Sequence, residues 1–156
     1  MIECAMINHT DQVGADDDGL GAYHLDRQIG FLLRRAHQRH ISIFTLSMDR
    51  NLTPQQFAVL ARLGETNRVS QNELGRQTAM DPSTMNGVVQ RLIKRGLIAK
   101  HKCHKDKRMI LLELTGHGAA ALEQLLAAAH EITRETLAPL SKYEQDHLLD
   151  LLRRIC

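Results

Sequence analysis

The chain contains no tryptophan, two tyrosines and three phenylalanines. A core without large rings has to be filled by Leu, Ile, Val, Met and Ala, a mixture that suits helices. No run of 18 apolar residues occurs, so no membrane span is expected. The first residues lack a basic stretch followed by an apolar one, so no secretion signal is expected either. Cys4, Cys103 and Cys156 are an odd number at wide spacing, which argues against a disulfide framework and for a cytoplasmic protein with reduced thiols. Catalytic signatures are missing as well: there is no nucleophile elbow, no phosphate loop and no paired His and carboxylate motif, and the nine histidines are scattered. The expectation is that this is no enzyme and needs no cofactor or metal. Scarce aromatics also remove the stacking platforms that single-stranded nucleic acids favour.

What is present is a hydrophobic fraction of 43% in 156 residues, enough for one compact domain and too much for a disordered chain. The net charge of +2 hides a segregation. Residues 1–20 carry Glu3, Asp11, Asp16, Asp17 and Asp18 with no Lys or Arg. Residues 91–108 carry Arg91, Lys94, Arg95, Lys100, Lys102, Lys105, Lys107 and Arg108 against Asp106 alone. A local basic stripe is what a polyanion partner requires, although a solvated surface also has this composition.

Hydrophobic periodicity and caps predict the elements. Residues 1–22 read as a flexible acidic tail. From His24 to about Met48, Leu25, Ile29, Leu32, Leu33, Ala36, Ile43 and Phe44 recur at helical spacing. Thr53-Pro54-Gln55-Gln56 opens a helix that Gly64 is expected to end, and Ser70-Gln71-Asn72-Glu73 is a second capping box. Asp81-Pro82 opens a helix to Arg95 with Met85, Val88, Val89 and Leu92 on its buried side and Gly96 as its stop. Leu97–Lys102 and Arg108–Leu114 then predict a two-stranded hairpin with a charged tip. Thr115 caps a long helix that Pro139 breaks, and Ser141-Lys142-Tyr143-Glu144 starts the last one. The fold is therefore mainly α with a small β-hairpin.

Two short capped helices followed by a basic hairpin form a winged helix-turn-helix pattern. A B-DNA major groove is about 12 Å wide and admits one helix. The helix at 82–95 turns Ser83, Thr84, Asn86, Gly87, Gln90 and Arg91 away from its apolar side. Asn and Gln can pair with adenine edges and Arg with guanine. Gly87 removes bulk on that side, unless it is only a tolerated mid-helix glycine. Ser70 and Gln71 can hydrogen-bond phosphate at a helix start, or Ser70 simply caps. Asp106 can orient Arg108 into a minor groove, or the two form an exposed ion pair of little worth. Lys94 and Lys105 of the basic stretch are grouped with these residues as DNA contacts.

The segment Asp81-Pro82-Ser83-Thr84-Met85-Asn86-Gly87-Val88-Val89-Gln90-Arg91-Leu92 through Arg95-Gly96-Leu97-Ile98, then Asp106-Lys107-Arg108 and Leu114-Thr115-Gly116-His117-Gly118, closely resembles the MarR family of bacterial regulators. The resemblance covers about residues 24–155. It implies a homodimer of obligate type, held by the first and last two helices at 23–50 and 116–156, around a DNA-binding lobe at 51–115. It also implies a pseudo-palindromic operator on double-stranded DNA, and usually repression.

The resemblance further implies a small aromatic effector, phenolic or carboxylate, bound between dimerisation helices and lobe. The groups offered for it are His40, which can equally be a core histidine, with Arg27, Arg34 and Arg39 as carboxylate partners and Tyr23, Phe44 and Phe57 as ring contacts. Two alternatives stay open: redox sensing through a cysteine, with cation-flanked Cys103 a better candidate than Cys4, or non-specific coating of DNA. His101, Cys103 and His104 suggest a metal site but fall short of the four ligands of structural zinc.

Overall fold

The computed structural model describes residues 23–48, 51–102 and 109–156. A 3-10 turn, Leu25–Arg27, precedes α1 (Ile29–Ser47); α2 (Pro54–Thr66), β1 (Val69–Ser70), α3 (Gln71–Gln77), α4 (Pro82–Lys94), β2 (Ile98–Lys102), β3 (Ile110–Leu114), α5 (Gly116–Leu137) and α6 (Lys142–Ile155) follow. The acidic tail expected at 1–22 lies outside the described residues. Among those described, no helix is long and apolar enough to cross a membrane.

Several boundaries differ from the sequence expectation for identifiable reasons. The first helix begins at Ile29 rather than His24, because Gln28 is extended (ψ 125°) and separates it from the 3-10 turn. Leu25 and Ile29 have helical spacing, yet both are exposed, so no packing holds that turn in the α conformation. Gly64 does not end α2. The helix runs on to Thr66 and stops at Asn67, which takes φ 62°. Gly64 instead makes room for a neighbour: a Cβ there would stand 2.6 Å from Leu122 Cδ2. Thr53 and Gln56 form the reciprocal capping box, as do Ser141 and Glu144. At Ser70 only half of the expected box exists, because the Glu73 carboxylate turns to Arg76 and Gln77.

The hairpin is joined by a third strand, giving an antiparallel sheet of order β1-β3-β2. Val69 pairs with Leu112 and Ser70 with Leu111, while Ile98 pairs with Leu114 and Lys102 with Ile110. The short β1 thereby ties the start of α3 to the wing.

The core centres on the lobe. Val59, Leu60 and Leu63 of α2, Leu74 of α3, Met85, Val89 and Leu92 of α4 and Leu112 of β3 are almost completely buried. Burying each such side chain contributes about 1.5–3 kcal/mol. Ile43, Phe44 and Met48 join this cluster from α1, as do Leu122 and Ile132 from α5. Helix α6 has no buried residue.

Candidate functional site

Helix α4 is held at its start by Asp81. Its Oδ1 accepts the amides of Ser83 and Thr84 at 2.9 and 3.0 Å, and its Oδ2 accepts the Thr84 hydroxyl at 2.5 Å. The Thr84 hydroxyl, followed by the Thr84 amide, keeps the Asp81 carboxyl below the ordinary carboxylate range. Met85, Val88, Val89 and Leu92 anchor the inner face. Ser83, Thr84, Asn86, Gln90, Arg91 and Lys94 are exposed on the other side, with Gly87 half-exposed between them. A Cβ on Gly87 would sit 3.7 Å from Arg91 Nη1, an ordinary contact, so packing within the chain does not require glycine there. Thr84 has its only hydroxyl proton engaged with Asp81, so it faces outward as an acceptor alone.

Ser70 Oγ caps α3 through the Glu73 amide at 3.3 Å, and Gln71 beside it is half-exposed. The turn into α4 is tight: Ala79 takes φ 52°, and Met80 N donates to Gly75 O at 2.9 Å. A Cβ on Gly75 would stand 3.2 Å from the Met80 carbonyl oxygen, which favours the smallest residue there. At its far end α4 stops at Gly96 with φ 68°, and Arg95 Nη1 donates to Asn51 O at 2.6 Å.

At the base of the wing, Glu113 on β3 receives Arg68 from the approach to β1 and lies 2.5 Å from His101 Nε2 on β2. Arg68, ahead of His101, holds the Glu113 carboxyl below its usual range. β2 and β3 are thus tied to each other and to the residue that precedes β1. The proposed wing contacts Lys105, Asp106 and Arg108 lie outside the described residues, as do Cys103 and His104. Among the described residues no group of three His, Cys, Asp or Glu could hold a metal ion. Thr115 is the single residue between β3 and α5; its hydroxyl donates to Gly96 O at 2.7 Å and accepts the Gly118 amide at 2.9 Å.

Of the residues suggested for an effector, Arg39 and His40 meet α5 and Phe44 meets Phe57, while the other three make no such contact. His40 is half-buried against α5, with Nδ1 3.0 Å from Thr136 Oγ1. Burial, followed by the neighbouring His37, lowers its pKa from the ordinary 6.5. Arg39 Nη2 donates to the Glu135 carbonyl at 3.0 Å, on the same turn of α5. One turn along α1, Phe44 meets Phe57 of α2 edge-on with ring centroids 6.2 Å apart. Tyr23, Arg27 and Arg34 are all exposed, and Tyr23 keeps 76% of its surface accessible. A cleft between α2, β3 and α5 is lined by Leu63, Leu114 and Leu122 but also by Glu113 and Glu123, whose charges oppose an anionic ligand.

Thr136 and Glu135 were absent from the sequence reading. They lie 96 positions from their partners, and no local pattern connects residues so far apart. The same holds for the trio of Arg68, His101 and Glu113.

Comparison with known proteins agrees with this geometry. Residues 52–110 match the model of the MarR family. The HTH-type transcriptional repressor NicR of Pseudomonas putida is 37% identical over 134 residues, which is 85% of each chain. A probable transcriptional regulator from Pseudomonas aeruginosa superposes with a TM-score of 0.83 at 52% identity, covering 85% of this chain and 100% of that one. BpsR of Bordetella bronchiseptica, whose structure concerns regulation of DNA binding by 6-hydroxynicotinic acid, superposes with a TM-score of 0.84 at 38% identity, covering 86% and 97%.

Proposed function

This chain belongs to the MarR family, and we propose that it is a homodimeric repressor that grips a pseudo-palindromic operator and releases it when an aromatic acid binds. That it is a transcriptional repressor of MarR type follows from its relatives. The observation that carries the DNA reading is the exposed face of α4, where Ser83, Asn86, Gln90, Arg91 and Lys94 line up on a helix braced at both ends. These are the groups that pair with base edges and phosphates in a major groove. Ser70, Gln71 and Thr84 add acceptors and donors beside the helix. Lys105, Asp106 and Arg108 belong to the proposal as the wing's contacts. The lobe at 51–115 reads the operator in the cytoplasm, while 23–50 and 116–156 hold the dimer.

The dimer is supported by apolar surface left open among the described residues. Ile29 of α1 and Leu148, Leu151, Leu152 and Ile155 of α6 line one groove, in which Ile155 is 66% exposed. Among the described residues, α6 has no buried side chain. A dimer that reads two half-sites has to hold its two α4 helices about one DNA turn apart, roughly 34–36 Å.

The effector reading is supported by Arg39 and His40 meeting α5, and by Phe44 meeting Phe57 of α2 one turn further along α1. A ligand there bears on the contacts that fix α5, and α5 continues from the wing. Fluorescence anisotropy with duplexes from the gene's own promoter tests the whole proposal. The operator is expected to bind on the order of 10³-fold more tightly than random DNA, and aromatic acids such as 6-hydroxynicotinate are expected to release it. Equal affinity for both duplexes, or no release by any member of an aromatic-acid panel, would reject the corresponding half.

A further inference from the structure

Gly87 is the sixth of the 13 residues of α4. A glycine inside a helix weakens the folding equilibrium about fivefold relative to alanine. A methyl group added here would meet nothing closer than Arg91 Nη1 at 3.7 Å. The other described glycines differ. Gly64, Gly75 and Gly118 have neighbours that a methyl group would crowd, Gly96 takes φ 68°, and Gly30 and Gly116 stand in the first turn of their helices. Among the described residues, Gly87 alone joins an interior helical position to room for a side chain. The packing of the chain gives no reason for it.

Its place on the helix supplies one. Ser83 and Thr84 lie four and three positions before Gly87, and Gln90, Arg91 and Lys94 lie three, four and seven after it, so all five surround it on one exposed face. Gly87 is thus a notch at the centre of the face proposed to enter the major groove. The notch has no free hydrogen-bonding group of its own, because an interior amide and carbonyl of α4 are used within the helix. Its floor is the Cα methylene. Among the described residues, the Arg91 guanidinium beside it has no ion pair or hydrogen-bond partner.

A group that fills such a notch has to be small and apolar. The one apolar group that base pairs project into the major groove is the C5 methyl of thymine. A phosphate oxygen would find no donor at Gly87 itself. We infer that Gly87 is a specificity-determining residue for the operator: the notch between Ser83 and Arg91 admits a thymine methyl. The methyl of an alanine at this position would take up the same space. The inference rests on the reading of α4 as the groove helix and adds to it the identity of one base.

Promoter duplexes in which one thymine at a time is replaced by deoxyuridine test it, because deoxyuridine pairs as thymine does and lacks only the methyl. In anisotropy titrations of the wild type, one replacement in each half-site is expected to weaken binding about fourfold, the effect of one methyl group. Gly87→Ala is expected to move stability and binding in opposite directions. Its urea midpoint should rise, its operator affinity should fall about tenfold, and its affinity for random DNA should stay as it was. The deoxyuridine duplex that weakens the wild type should weaken Gly87→Ala no further. Four results overturn the inference while the groove reading of α4 stands: a wild type indifferent to every replacement, a Gly87→Ala protein that keeps its operator affinity or loses random DNA equally, a lower urea midpoint in that variant, or an undiminished deoxyuridine effect in it. Equal binding of promoter and random duplexes by the wild type overturns both.

Discussion

A methyl group placed on Gly118 would stand 1.9 Å from the carbonyl oxygen of Leu97. The first turn of α5 is thus pressed against the backbone that leads from α4 into the wing, and only glycine permits that approach. Gly118→Ala is expected to destabilise the fold by about 3 kcal/mol, since backbone cannot yield as a flexible side chain does. Gly116→Ala, where nothing lies within 4 Å, should change stability by less than about 0.5 kcal/mol. Denaturant midpoints of the two variants check this contrast.

Gln90 and Lys94 lie on the same exposed face of α4 but are expected to fail differently when truncated. Gln90→Ala should weaken operator binding by about 1–3 kcal/mol and leave random DNA unaffected, the pattern of a base contact. Lys94→Ala should weaken both duplexes alike and reduce the salt slope by about one ion, the pattern of a phosphate contact. Anisotropy titrations at several salt concentrations separate the two.

The Asp81 cap carries a pH dependence with a definite sign. In the unfolded chain this carboxyl titrates at its ordinary 3.8, and in the fold the Thr84 hydroxyl and then the backbone amides lower it. The charged cap therefore contributes in full above that ordinary value and is lost as the pH falls through the lowered one. Asp81→Asn keeps an acceptor but has no proton to gain. Acid unfolding followed by circular dichroism should show a steeper loss of stability in the wild type than in Asp81→Asn; superimposable acid limbs would contradict it.

The groove of α6 makes a prediction about assembly. Leu151→Glu sets a charge among Leu148, Leu152 and Ile155, on the apolar groove proposed to receive the second copy. Sedimentation velocity should show the wild type as a dimer and this variant as a monomer. Operator affinity should fall with it, because a single α4 reads half a site.

Much of this fold was legible because helix boundaries depend on neighbours in sequence. The Thr53, Ser141 and Asp81 caps, and the left-handed stop at Gly96, all act within four residues. What escaped depends on distant partners. Val69 and Ser70 carry no strand signal of their own and become a strand only because Leu112 and Leu111 lie beside them. Gly64 has the composition of a helix stop, and its true role is set by Leu122, a residue 58 positions later. The outward face of α4 could be read from its apolar complement. The effector candidates could not be sorted that way: Arg27 and Arg34 resemble Arg39 in sequence, and only the contact with Glu135 separates them.

Thr115 stands alone between a strand and a helix, and its hydroxyl grips the carbonyl of Gly96 at the exit of α4. A loop of several residues would act as a hinge and absorb a tilt of α5. Here there is no slack, so the hairpin and the trailing end of α4 ride on α5 as on a lever.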